Sequence, residues 1–168
     1  MVKYTLWIVP PEPVKSILQK IILELSKKYD SLGFAPHMTL LGDIEGAEKE
    51  ILEGTKKLSA SLKPFTLALG EVSFSTTYFQ NVFVRVKSNA KLMQANLLAK
   101  QIFNMPNNLF MPHASLLYGN HDMETREKIA TEIKLHAGLS FPADKIIIIP
   151  TTKDPKDWHH LAEIPIYE

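Results

Sequence analysis

A six-residue pattern occurs twice in this chain of 168 residues. Pro36–Leu41 reads Pro-His-Met-Thr-Leu-Leu, and Pro112–Leu117 reads Pro-His-Ala-Ser-Leu-Leu. The two histidines, His37 and His113, are separated by a little under half of the chain. Self-similarity of this kind is typical of an internal duplication. We therefore expect residues 1–168 to form a single domain with two lobes, each of which contributes one copy of the motif.

Apolar periodicity predicts strands and helices in mixed order along the chain. Strands are predicted over 3–9, 36–42, 64–69, 71–74, 82–87, 112–118, 144–149 and 157–166. Helices are predicted from the prolines at 11 and 13 to about 29, over 47–62, from 88 or 89 to about 103, and from 122 past 133. This order predicts an α+β fold with antiparallel sheets rather than a doubly wound parallel sheet.

Composition excludes several kinds of chemistry and of partner. The chain has no cysteine, which removes disulfides, thiolate metal sites and cysteine nucleophiles. Its 19 basic and 18 acidic residues nearly balance, so it lacks the strongly basic character typical of proteins that bind long nucleic acids. No apolar run is long enough for a membrane span, and the first ten residues are too polar for a signal peptide. We expect a cytoplasmic monomer with no membrane partner.

The motif spacing predicts a site for phosphate chemistry. Residues two apart on a strand face the same side, so His37 projects with Thr39, and His113 projects with Ser115. If the two halves pair about a pseudo-two-fold axis, both imidazoles and both hydroxyls converge on one cleft. One imidazole can take a proton from water while the other donates one to a leaving oxygen. The hydroxyls can donate hydrogen bonds to phosphoryl oxygens, and this chemistry needs no metal or cofactor.

These residues resemble the two-histidine phosphoesterase superfamily, and within it the small cyclic phosphodiesterases of plants and yeast. The resemblance covers nearly the whole chain. It implies two pseudo-symmetric lobes, each an antiparallel sheet flanked by helices, with a central cleft. It also implies metal-independent hydrolysis of nucleoside 2′,3′-cyclic phosphates, ADP-ribose 1″,2″-cyclic phosphate or both. The stretches that carry it are Leu6–Trp7 with Pro10, Phe34–Thr39, Tyr78–Phe83, Met111–Tyr118 and the region of Trp158.

By this resemblance, His37, Thr39, His113 and Ser115 are the catalytic residues. The aromatic residues that match the family's contacts to base and sugar are Trp7, Phe79 and Tyr118. The resemblance implies no metal and no cofactor.

Two alternatives remain open at the level of sequence. Gly42 follows Leu41 at the end of the first motif. This Leu-Gly pair resembles the RNA phosphodiesterase and ligase-like branch, whose members process 2′,3′-cyclic phosphates at RNA ends. That branch carries more arginine, whereas lysine outnumbers arginine here by seventeen to two. A module that binds nucleotides without chemistry is the other alternative.

The other four histidines are not predicted to form a site. The adjacent His159 and His160 are expected at the surface, and His121 and His136 have no carboxylate partner at ligand spacing.

Overall fold

The computed structural model describes residues 2–152 and 154–168. The strands are β1 (Lys3–Ile8), β2 (Met38–Glu45), β3 (Phe65–Phe74), β4 (Val82–Val86), β5 (His113–Leu117), β6 (Ser140–Ala143), β7 (Lys145–Pro150) and β8 (Ala162–Pro165). The α-helices are α1 (Val14–Lys28), α2 (Glu48–Ala60), α3 (Ala90–Ile102) and α4 (Met123–Glu132), and a short 3₁₀ helix covers Pro155–Asp157.

The strands form one antiparallel sheet in the order β6-β3-β4-β5-β2-β1-β7-β8. Four strands lie on each side of the junction between β5 and β2, which are the two motif strands. That junction is short, with Met38 opposite Ala114 as its ladder pair. A cleft lies over the motif strands where the two halves of the sheet meet. The predicted α+β fold, with two antiparallel lobes, flanking helices and a central cleft, is confirmed.

Local sequence accounts for most of these elements. Helix α1 buries the apolar stripe formed by Val14, Leu18 and Ile22 against the main core. Asn89 and Asp122 cap α3 and α4, where their side chains accept hydrogen bonds from backbone N–H groups of the first turn at 2.9 and 2.8 Å. These helix starts agree with the prediction.

The four consecutive isoleucines of β7 are buried on both faces of the sheet, as their continuous apolar run predicts. Ile146 and Ile148 pack into the main core, whereas Ile147 and Ile149 pack beside Trp7 on the cleft side. Strand β7 is therefore a shared wall between the core and the cleft.

The structure differs from the predicted elements in four places. The strands predicted over 64–69 and 71–74 are one continuous strand, β3, whose pairing with β4 is irregular between Leu69 and Val72. Strand β6 was not predicted, because it is only four residues long, contains Pro142 and lies at the sheet edge against β3. The closing strand begins at Ala162 rather than at 157, because Pro155–Asp157 forms the 3₁₀ helix. Strand β2 continues past Gly42 to Glu45, and its register with β1 is irregular there.

Arg126 on α4 ties three segments of the chain together. Its guanidinium is buried and donates hydrogen bonds to four backbone carbonyls at 2.6–3.3 Å. This arginine therefore serves the fold, and it holds the loop that joins β3 to β4 beside the end of β5. The four accepting carbonyls belong to Ser75, Thr77, Gly119 and His121.

Replacing this arginine should cost far more stability than replacing the other arginine of the chain. Arg126→Met leaves several partly buried carbonyls without donors, so we expect the free energy of unfolding to fall by about 3 kcal/mol or more. Arg85→Met is the matched control and should cost less than about 1 kcal/mol, because Arg85 forms a half-exposed ion pair with Glu71. Urea unfolding followed by tryptophan fluorescence measures both. Equal losses in the two variants would contradict this role for Arg126.

Candidate active site

A cleft of about 410 Å³ lies over the motif strands and is lined by residues of both lobes. Every site residue predicted from the sequence lines this cleft, so the fold brings together side chains that are far apart along the chain. These residues are Trp7, His37, Thr39, Phe79, His113, Ser115 and Tyr118.

Both motif histidines are held by the same local hydrogen bond. The Nδ1 atom of His37 lies 2.8 Å from the carbonyl oxygen of Ala35, and the Nδ1 atom of His113 lies 2.7 Å from that of Met111. A carbonyl oxygen only accepts, so each Nδ1 carries the proton and donates it. Each neutral ring therefore keeps its lone pair on Nε2, the nitrogen left to exchange protons with a ligand.

His37 lies in an apolar, aromatic environment. Its ring stacks on Trp7 with the centroids 3.6 Å apart, and it meets the edge of Trp158 at 5.6 Å. Burial and, to a smaller extent, nearby His113 lower the pKa of His37 to about 4, although its bond to the carbonyl of Ala35 acts in the opposite direction. His37 is therefore neutral at pH 7.

His113 is more accessible than His37 and stands in a different electrostatic setting. It lies directly opposite Arg85 on β4, and its ring meets the edge of Phe83 at 5.2 Å. Burial lowers the pKa of His113, its bond to the carbonyl of Met111 raises it, and the positive charge of Arg85 lowers it. The two copies of the motif thus share their backbone geometry but not their surroundings.

The two hydroxyl residues are placed differently. Thr39 is partly buried on β2, opposite Trp7 on β1. Ser115 is buried, and its Oγ donates a hydrogen bond to the carbonyl oxygen of Phe79 at 2.7 Å. This bond fastens the loop between β3 and β4 to the second motif.

The three predicted aromatic contacts occupy distinct positions in the cleft wall. Tyr118 is buried and stacks on Phe34 at 3.8 Å, and burial raises the pKa of its phenol. Trp7 is also buried, with its ring against His37. Phe79 is 42% exposed and is therefore the most accessible of the three.

Trp158 lines the cleft but was not among the predicted site residues. Its ring packs in a T-shaped arrangement with those of Trp7 and Tyr118, with the ring centroids 5.1 and 6.0 Å apart. Its Nε1 donates a hydrogen bond to the carbonyl oxygen of Thr152 at 3.0 Å. Its aromatic character was visible in the sequence. Its position over His37 depends on the path of the chain from β7 to β8, for which no local pattern is diagnostic.

The remaining histidines lie outside the cleft lining. His159 and His160 are exposed, as predicted, and His160 pairs with Glu163 at 2.8 Å. His121 contacts the side chain of Asn81 at 2.6 Å.

The described part of the chain contains no cluster of three or more potential metal ligands. Residues 2–152 and 154–168 also contain no helix with the length and apolarity needed to cross a membrane.

Paired His-x-Thr/Ser motifs that face one cleft, on an antiparallel sheet of this order, define a phosphoesterase of the two-histidine superfamily. A family model described as cyclic phosphodiesterase-like protein matches residues 1–166, and the chain belongs to this family. It is therefore a phosphodiesterase.

Individual relatives agree with this assignment. The chain is 27% identical over 158 residues to a protein of Arabidopsis thaliana named cyclic phosphodiesterase, covering 91% of this chain and 87% of that protein. Its fold is similar to that of TT0787 of Thermus thermophilus, with a TM-score of 0.67, 17% identity and coverage of 98% and 97% of the two chains. It is also similar to Escherichia coli LigT complexed with 3′-AMP, with a TM-score of 0.64, 13% identity and 99% coverage of both chains.

The low pKa of His37 should make the protein less stable in mild acid. The unfolded chain binds a proton at this histidine near pH 6.5, whereas the folded chain binds it only near pH 4. The unfolded state therefore holds more protons between these values, and the free energy of unfolding falls as the pH drops through that window. We expect His37 to contribute roughly 2–3 kcal/mol of this loss between pH 7 and 4.5.

Urea unfolding at pH 7 and 4.5 measures this contribution when the natural protein is compared with His37→Asn. Asparagine can still donate a hydrogen bond to the carbonyl of Ala35 but does not titrate, so the variant should lose much less stability in acid. His113 titrates in both proteins and cancels in the comparison. An identical pH dependence in the two proteins would disprove the low pKa of His37.

Proposed function

We propose that this phosphodiesterase opens the cyclic phosphate ring of nucleoside 2′,3′-cyclic phosphates, of ADP-ribose 1″,2″-cyclic phosphate or of both, with no metal ion. The observation that carries the proposal is the pair of imidazoles in one cleft, each with Nδ1 bound to a carbonyl and Nε2 left for proton transfer. Such a pair supplies both the base and the acid that ester hydrolysis requires.

In the proposed mechanism, His37 acts as the base. Its low pKa keeps Nε2 unprotonated at neutral pH, so it can accept a proton from water as the water oxygen attacks phosphorus. One phosphorus–oxygen bond of the ring breaks in the same step. The leaving sugar oxygen takes a proton from Nε2 of His113, and the product is a phosphomonoester.

His113 is the acid because it is the more accessible of the two rings and responds to the substrate. A bound phosphate brings a negative charge beside it, and an adjacent anion raises the pKa of a histidine. Substrate binding thus favours the protonated form that His113 needs. The base and acid roles follow from burial and not from the motifs, which are nearly the same in both copies.

The hydroxyls of Thr39 and Ser115 hold the non-bridging phosphoryl oxygens in this proposal. Ser115 already forms a hydrogen bond to the carbonyl of Phe79, so its hydroxyl must rotate when phosphate binds. Trp7 keeps the His37 ring in place by stacking. In this proposal the nucleoside lies against the cleft wall that Trp7 forms with Phe79 and Tyr118.

The relatives support a small nucleotide as the substrate. The Arabidopsis relative is named a cyclic phosphodiesterase, and LigT, which shares the fold, has been crystallised with 3′-AMP and with ATP. Comparing turnover of 2′,3′-cyclic AMP with that of an RNA oligonucleotide ending in a 2′,3′-cyclic phosphate tests this preference. A kcat/KM that is higher for the oligonucleotide would replace the proposed substrate with RNA ends.

Removing either motif histidine should abolish turnover without unfolding the protein. We expect His37→Asn and His113→Asn each to lower kcat for 2′,3′-cyclic AMP by about 10²–10⁴-fold, the usual contribution of a general acid or base. His136→Asn, at an exposed histidine outside the cleft, is the matched control and should keep natural activity. Circular dichroism checks the fold of each variant. Activity within tenfold of the natural level in a folded motif variant would refute the mechanism.

Turnover should not depend on a divalent cation, because the base, the acid and the phosphate donors are all protein side chains in this mechanism. We expect the rate with 2′,3′-cyclic AMP to be unchanged after dialysis against EDTA. A loss of activity that added Mg²⁺, Mn²⁺ or Zn²⁺ restores would show that a metal takes part.

A further inference from the structure

A positively charged side chain, Arg85, lies directly across the sheet from the second motif histidine. Arg85 on β4 is the ladder partner of His113 on β5. Partners of this kind point to the same face of the sheet, with Cβ atoms about 5 Å apart. The guanidinium carbon of Arg85 lies 5.6 Å from the ring centroid of Phe83, and the same ring meets that of His113 at 5.2 Å. The charge of Arg85 therefore lies close to the imidazole.

An irregularity in the pairing of β3 with β4 brings a counter-ion to this arginine. Between two regular ladder pairs, β3 has two residues, Gly70 and Glu71, where β4 has only Arg85. A bulge of this kind re-aims a side chain. A carboxylate oxygen of Glu71 lies 3.3 Å from Nε of Arg85, and both side chains are partly exposed. A line of three groups, Glu71, Arg85 and His113, thus crosses three neighbouring strands.

The corresponding position beside the first motif is apolar. Ile8 on β1 pairs with Met38, so continuing this antiparallel register places Val9 across from His37. The two lobes therefore differ at this one cross-strand position, where one motif histidine faces an aliphatic side chain and the other faces a charge.

Arg85 is the charged group that acts on the proton affinity of His113. Burial lowers the pKa of His113, the bond to the carbonyl of Met111 raises it, and the positive charge of Arg85 lowers it. The loop over 104–112, which leads into β5, contains no charged residue. The other titratable or charged groups around the cleft or further along β4 are His37, Asp43, Tyr118 and Lys87.

We propose that Arg85 and Glu71 together set how tightly His113 holds its proton. Arg85 opposes the charged form of the imidazole, and Glu71 offsets part of the charge of Arg85. A histidine that releases its proton more readily is a stronger acid toward the leaving sugar oxygen. This inference rests on the proposed function, in which His113 is the acid. Both residues act through His113 and are positioning residues rather than catalytic ones.

NMR titration of the His113 imidazole tests the proposal. Its Cε1–H signal is assigned as the one that is lost in His113→Asn. We expect Arg85→Gln to raise the pKa of His113 by about 0.3–1 pH unit, because it removes a positive charge and leaves Glu71 unopposed. Glu71→Gln should lower that pKa by a similar amount, and the double variant should fall between the natural protein and Arg85→Gln. These differences should shrink in about 1 M NaCl, which screens partly exposed charges.

Two further variants control for effects other than charge near His113. Arg85→Lys keeps the positive charge, so the pKa of His113 should stay close to its natural value. Lys145→Gln breaks a similar ion pair between neighbouring strands, with Glu163 at 2.9 Å in the other half of the sheet, and should leave that pKa unchanged. An unshifted pKa of His113 in both Arg85→Gln and Glu71→Gln overturns the proposal, and so does a shift of the same sign in both.

The pH dependence of turnover separates this inference from the proposed function. A general acid must be protonated, so its pKa sets the upper pH limit of kcat/KM. With His113 as the acid, this limit moves up in Arg85→Gln and down in Glu71→Gln, in step with the NMR titration. If the pKa shifts but the limit does not move, the inference holds and His113 is not the acid. If the natural protein does not turn over 2′,3′-cyclic AMP, the proposed function fails, and the NMR titration still decides the inference.

Discussion

The short ladder between β2 and β5 is the contact on which the site depends. It joins the two four-stranded halves of the sheet at Met38 and Ala114, the residues that follow the two motif histidines. Antiparallel pairing at this point brings His37 and His113 into one cleft, although they lie far apart in the chain. A different register between these strands would move the two histidines apart.

The two motif histidines have the same local hydrogen bond but lie in different environments. Each ring donates its Nδ1 hydrogen to the carbonyl two residues earlier, across the proline that precedes each histidine. What differs is the environment. His37 is enclosed by Trp7 and Trp158, whereas His113 is more accessible and stands opposite Arg85. Burial lowers the pKa of His37 to about 4, and in the proposed mechanism this histidine acts as the base and the more accessible His113 as the acid.

The elements that the sequence predicts correctly are those with a local signal. The continuous isoleucines of β7, the capping residues Asn89 and Asp122, and the alternation within each motif all predicted structure that the fold contains. Local patterns predict neither β6, whose four residues pair only at a sheet edge, nor the course of β2 through Gly42. In those places pairing with a distant strand outweighs local preference, and local preference is all that a single sequence displays.

The sequence by itself predicted which side chains line the cleft and determined which of them share a strand face. That information is local, because the two-residue period of a strand follows from backbone geometry alone. Only the tertiary structure decided that Trp158 covers His37, that His37 is the more deeply buried histidine, and that Asp43 lines the cleft. These properties depend on burial and on strand register, and both are set by contacts between segments that lie far apart in the chain.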